Sequence, residues 1–294
     1  MISFSKTDDV ISIIRRFIMN YKIVSDSSAN LLNLEGINFE AVPLHIITTD
    51  KDFTDNESLN LKEMQDHLAA YKGKSSTSCP NSQEWIDAFG DSDAVFCVTI
   101  TSNLSGSCAS AKVAGAMYES DHPDRVVYVI DSLSTGPEMV LIINKLAELI
   151  DTGLDPESIY EEICEYQKKT HLYFALSSVD NLAKNGRINP ILAKGLGILG
   201  IKIVAKASDV GTIQPLDKSR GDKRAYNCII SHMKKLGYKN GRVIISHTNN
   251  PSGANDMNEL IKNELGYENA LIMENRGLVS FYAEPGSILV GFEA

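Results

Sequence analysis

Residues 93–111 read DAVFCVTITSNLSGSCASA, and they hold the key to the chain. The stretch opens with apolar and β-branched residues, Val95, Val98, Thr99 and Ile100, which suit a buried strand. It breaks at Thr101-Ser102-Asn103, a run of cap-type residues. After Ser105-Gly106 an apolar series follows at helical spacing: Ala109, Val113, Ala116 and Met117. The spacing therefore predicts a strand that hands over to a helix within a few residues, with Ser105 at the join. A helix start offers unpaired N–H groups and a partial positive charge, which favours an anion. Gly106 lets a small anionic group come close to the backbone.

The same alternation extends on both sides. Strands are expected over 21–25, 39–48, 94–100 and 126–131, and helices over 61–71, from Ser82 through Phe89, and over 134–150. Pro43 marks an edge or a bulge, Ser28 is placed to cap a helix through Leu31-Leu32, and residues 72–81 read as a loop. The pattern predicts an α/β domain with a largely parallel sheet, whose ligands sit at the carboxyl ends of strands. The ends 25–28, 101–105 and 131–135 are all hydroxyl-rich. Residues 153–156 are the expected boundary. Beyond them strands outnumber crossover helices, including strand-like stretches at 270–273, 277–281 and 287–291, so an α+β domain with antiparallel pairing is expected. The division is then 1–20 as an extension, 21–152 as the first domain and 153–294 as the second.

Composition narrows the function. The 294 residues carry 28 Lys+Arg against 38 Asp+Glu, a net charge of -10, which argues against a nucleic-acid binder. The cysteines, Cys79, Cys97, Cys108, Cys164 and Cys228, are scattered and form no C-x-x-C pair, so neither zinc nor a disulfide scaffold is expected and a cytoplasmic setting fits. No apolar run approaches the ~18 residues of a membrane span. Residues 1–18 are a short amphipathic piece whose order of charge and apolar run is not that of a signal peptide.

Three chemical readings compete. Gly195-Leu196-Gly197-Ile198-Leu199-Gly200 spells a dinucleotide fingerprint, but a helix precedes it and a strand follows, the reverse of the required order. Ser105 after a strand allows a serine hydrolase with Ser105 as nucleophile. Its flanks, Asn103 and Ser107, are not those of G-x-S-x-G, and nothing ties His45 or His247 to it. What remains is a set of neutral hydroxyls, Ser25, Ser27, Thr77, Ser78, Ser102 and Ser105, which together can donate to a carboxylate or phosphate. No histidines stand at metal-ligand spacing.

Several motifs resemble those of the DegV family of fatty-acid-binding proteins. They are Ser25-Asp26-Ser27-Ser28, Thr77-Ser78-Cys79-Pro80-Asn81, Thr101-Ser102-Asn103-Leu104-Ser105-Gly106-Ser107, Asp131-Ser132 and Lys184-Asn185-Gly186-Arg187-Ile188. They occur in the family's order from Tyr21 onward. The resemblance implies a Rossmann-like α/β/α domain and an α+β domain holding one long-chain fatty acid, such as palmitate, between them. It implies no enzyme activity and no cofactor beyond that ligand. Thr77 and Ser105 would hold the carboxylate, with Ser27, Ser78, Ser102, Gly106 and Tyr282 around it. Arg187 and Arg220 would meet a separate fatty acid kinase that phosphorylates the carboxylate. The family's H-x-G-P-G loop reads Tyr282-Ala283-Glu284-Pro285-Gly286 here. Tyr282 can still donate through its O–H, whereas Glu284 adds negative charge near an anion. The apolar stretch after Arg187 offers Ile191, Leu192, Leu196, Ile198 and Leu199 as expected tail contacts.

Overall fold

The computed structural model describes residues 19–189 and 200–294. The expected extension at 1–18, most of the glycine-rich fingerprint and the tail contacts expected at 191–199 lie outside them.

Strands β1 (Tyr21–Asp26), β2 (Phe39–Val42), β6 (Ala94–Thr99) and β7 (Val126–Asp131) form a parallel sheet in the order β2-β1-β6-β7. Both faces are covered, so alternate residues of one strand enter different cores. Val24, Val95 and Cys97 pack with Trp85 and Phe89 of α2 (Ser82–Phe89) and with Ala111 and Ala114 of α3 (Ser107–Asp121). Ile23, Phe96 and Val98 pack with Met139 and Ile142 of α4 (Pro137–Asp151) and with Ile159 and Ile163 of α5 (Pro156–Gln167). The expected division at 152/153 thus falls between two helices that share one apolar cluster.

Pro43 does more than mark an edge. The chain leaves the parallel sheet at Val42 and enters a small antiparallel one, in which β3 (His45–Ile47) lies between β4 (Asp52–Thr54) and β5 (Ser76–Ser78). β5 lies in the stretch expected to be a loop. Helix α1 (Leu61–Ala70) puts Met64 against this sheet. No helix forms at Leu31-Leu32; a short 3-10 turn, Ser27–Ala29, follows Asp26 instead.

The second sheet has the order β10-β9-β8-β13-β11-β12, with β8 (Thr170–Leu176), β9 (Ile201–Ala207), β10 (Ile213–Arg220), β11 (Val243–His247), β12 (Leu271–Glu274) and β13 (Ile288–Glu293). Pairing is antiparallel except between β11 and β12. One face is covered by α7 (Asp222–Lys235) and α8 (Pro251–Leu265). The other looks toward the parallel sheet, with α4 between the two. Five consecutive residues of α4, Met139 to Ile143, are each at most 1% exposed, as befits a helix enclosed on all sides. Gly291 permits this: a Cβ there would lie 2.7 Å from backbone atoms of Pro137 and Glu138.

One expected strand is a helix. Residues 277–281 belong to α9 (Gly277–Ala283). The buried Asp55 carboxylate accepts from the N–H groups of Gly277 at 3.0 Å and Leu278 at 2.9 Å, which caps this helix from a distant part of the chain.

Candidate ligand-binding site

The inward face of β8 presents Leu172, Phe174 and Leu176 at alternate positions. With Leu278 and Val279 of α9 and Leu289 of β13 they wall a cavity between the two sheets. Its empty volume, mouth and open solvent included, is about 800 Å³.

Four of its polar side chains come from different parts of the fold. Thr77 stands on β5, Ser105 just before α3, Tyr282 in the last turn of α9, and Arg187 after α6 (Asp180–Lys184). The hydroxyls of Thr77 and Tyr282 are hydrogen-bonded at 2.8 Å. Ser105 Oγ accepts from the Ser107 N–H at 3.2 Å. Arg187 Nε donates to the Leu104 carbonyl at 3.1 Å, and another guanidinium nitrogen donates to the Asn185 carbonyl. The Thr77 and Ser105 loops touch, since a Cβ at Gly106 would lie 3.2 Å from Cys79 Sγ. Gly106 caps α3 without a side-chain acceptor of its own, and the first N–H of the helix, that of Ser107, is held by Ser105 Oγ.

A buried carboxylate shapes this loop. Asp26 accepts from the Ile100 N–H at 2.9 Å, the Ser107 hydroxyl at 2.6 Å, the Ser28 N–H at 3.2 Å and the Ser28 hydroxyl. Burial pushes its pKa up, and the bonds from Ser107, Ser28 and Ile100 partly oppose that. Asp26 thus ties both ends of residues 100–107. From the other side, the turn between β9 and β10 closes on the same loop. Thr101 Oγ1 donates to the Gly211 carbonyl at 2.9 Å, and Asn103 Nδ2 to that of Val210 at 2.6 Å. Gly211 has φ +75°, and a Cβ there would lie 2.1 Å from Thr101 Oγ1.

Of the residues singled out in the sequence, Thr77, Ser105 and Tyr282 line the cavity together, and so does Arg187. Ser27 is buried elsewhere, accepting from the Leu44 N–H at 3.0 Å. Ser78, Ser102 and Gly106 are exposed, as is Arg220 at the end of β10. Glu284 does not line the cavity. Its carboxylate accepts from the Asn181 N–H at 3.1 Å and so caps α6; burial raises its pKa. Thr101, Thr135 and Thr212 line the cavity without having been singled out. The first two lie in hydroxyl-rich strand ends, and Thr212 carries no such signal. Among the described residues no three His, Cys, Asp or Glu side chains gather as metal ligands, and no helix is long and apolar enough to cross a membrane.

The profile of a family described as "Uncharacterised protein, DegV family" matches residues 20–294. A DegV domain-containing protein of Streptococcus pneumoniae is 40% identical over 279 residues, 94% of this chain and 99% of the relative. Two solved structures each superpose with a TM-score of 0.91. One is a DegV family protein of Eubacterium eligens loaded with heptadecanoic acid, 38% identical over 93% of this chain and 99% of that one. The other is the Streptococcus pneumoniae Fatty Acid Kinase (Fak) B3 protein loaded with linoleic acid, 39% identical over 94% of this chain and 99% of that one.

Proposed function

This chain belongs to the DegV family, and on that premise we propose that it holds one long-chain fatty acid in the cavity between its sheets. The carboxylate accepts from Thr77 and Ser105, with Tyr282 and Arg187 beside it. The carrying observation is that a cavity walled by aliphatic side chains of β8, α9 and β13 brings the hydroxyls of Thr77, Ser105 and Tyr282 together with the Arg187 guanidinium. Burial of about 14 methylenes at ~0.8 kcal/mol each offers on the order of 11 kcal/mol before the costs of association. An unpaired carboxylate would forfeit several of these, so the hydroxyls mainly fix orientation.

The protein presents its ligand and does not transform it. No histidine stands among the described residues lining the cavity, so Ser105 has no base there. The ligand goes to a separate fatty acid kinase that phosphorylates the carboxylate, with Arg220, exposed on β10, and Arg187 at the interface. The likeness to a Fatty Acid Kinase B3 protein supports this partner. The test is mass spectrometry of an organic extract of the purified protein, then calorimetry with palmitate. A co-purified fatty acid and saturable one-to-one binding are expected; a lipid-free protein that ignores palmitate would refute the reading.

A further inference from the structure

We propose that Glu284 is a positioning residue for Arg187: it clasps α6 to the end of α9 and so holds the guanidinium at the cavity wall, a role that rests on the fatty-acid reading above. Glu284 has φ +58° and ψ 158°, at the edge of a region that only glycine enters without strain. A side chain there costs stability that glycine would not. Its carboxylate accepts from the Asn181 N–H at 3.1 Å, across 103 residues. Helix α6 does not need this acceptor in order to start, since the Ser178 hydroxyl already accepts from the Asp180 N–H at 3.1 Å. The Glu284 bond instead attaches one element to another.

The attachment leads to Arg187 through bonds that fix direction. Asn181 Nδ2 donates to the Phe281 carbonyl of α9 at 2.8 Å, so one residue of α6 is tied twice to the end of α9. Beyond α6 the turn is closed: the Gly186 N–H donates to the Ala183 carbonyl at 3.1 Å, and the Arg187 N–H to that of Leu182 at 2.8 Å. Arg187 Nε then reaches the Leu104 carbonyl at 3.1 Å, directly before Ser105. The other side of Glu284 is anchored independently. The Gly286 carbonyl accepts from Lys202 Nζ of β9 at 2.7 Å and from Asn250 Nδ2 at 2.9 Å, and the Gly286 N–H donates to the Thr248 carbonyl at 2.8 Å. Glu284 thus stands on a fixed base, and α6 hangs from it. Leu182 also packs with Val279 and Ala283. Apolar packing has no preferred direction, however, and a guanidinium is aimed by hydrogen bonds.

The experiment is stopped-flow release of a fluorescent long-chain acid, displaced by palmitate, from the wild type, Glu284→Gly, Glu284→Gln, Arg187→Ala, and Glu284→Gly combined with Arg187→Ala. Glycine suits this backbone, which offsets the lost bond, so Glu284→Gly should melt close to wild type while releasing the acid roughly three- to tenfold faster. Glu284→Gln keeps a side-chain oxygen for the Asn181 N–H and should restore slow release. Arg187→Ala should release the acid at least as fast as Glu284→Gly. Adding Glu284→Gly to it should change nothing further, because the effect runs through the guanidinium. Amide hydrogen exchange of the lipid-free protein reads the clasp apart from binding: residues 181–187 should exchange faster in Glu284→Gly than in the wild type. Unchanged release in Glu284→Gly, or an undiminished further acceleration in the combined variant, would overturn the positioning role and leave the lipid reading intact. A wild type that binds no long-chain acid would overturn the lipid reading and, with it, this role.

Discussion

Ser105 has one short hydroxyl at the head of a helix, and the proposed function asks it to donate to a charged oxygen. A hydrogen bond to a charged group contributes about 1.5–3 kcal/mol, so Ser105→Ala should weaken palmitate binding about ten- to a hundredfold in calorimetry. Equal affinity would remove Ser105 from the site. Tyr282→Phe isolates the hydroxyl that holds Thr77: the ring and its packing remain, but the 2.8 Å bond to Thr77 goes. A loss of affinity with little change in melting temperature is expected, whereas a loss of stability alone would make Tyr282 structural. Both side chains were legible in the sequence, because motifs name hydroxyls well. The motif could not say that Arg187 would turn into the cavity wall while Arg220 stays outside. That depends on the Arg187 bond to Leu104, formed across 83 residues.

At the scale of elements, α9 shows how a distant side chain decides secondary structure. Leu278, Val279 and Phe281 suit a strand as well as a helix, and Asp55 favours the helix by accepting from Gly277 and Leu278. Asp55 also lies 3.8 Å from Arg276 Nε. Asp55→Ala should therefore cost on the order of 3 kcal/mol, since it strands buried donors and a cation. It should weaken lipid binding as well, because α9 carries Tyr282. Chemical denaturation and calorimetry on one variant check both, and an unaffected affinity would uncouple α9 from the site. The turn between β9 and β10 is a second case. Gly211→Ala forces an alanine into positive φ and against Thr101, with an expected loss of about 1–3 kcal/mol and faster lipid release in stopped-flow displacement. The small antiparallel sheet escaped the sequence for another reason. Its strands are three residues long, and β5 reads Ser-Thr-Ser, with no apolar alternation to detect.

For the whole molecule the central fact is α4, which serves both sheets. Ile142 packs with the parallel-sheet core and Leu141 with Ile244 of the second sheet. The two halves should therefore unfold in one calorimetric transition; two resolved transitions would contradict a shared helix. Glu138, in the first turn of α4, adds a pH dependence. The helix start favours its ionised form, but burial dominates and raises its pKa from 4.5 to about 7. The folded state thus binds the proton more tightly than the unfolded chain. The stabilisation is complete below pH ~4.5 and is lost as pH rises through ~7, in total about 3 kcal/mol. Glu138→Gln should flatten the fall in stability between about pH 5 and about pH 8 by up to that amount. An identical slope in variant and wild type would place this dependence elsewhere.

The sequence alone determined most of the strands and helices of the two larger sheets, the covered parallel sheet and the hydroxyls of Thr77, Ser105 and Tyr282 that line the cavity. Apolar periodicity, capping and turn chemistry act over a few residues, so they can be read locally. The tertiary structure decided that α9 is a helix, that Pro43 divides two sheets and that Arg187 lines the cavity. Each of these depends on contacts between groups far apart along the chain, as with Asp55 and Gly277, 222 residues apart, and only folding brings such groups within reach of one another.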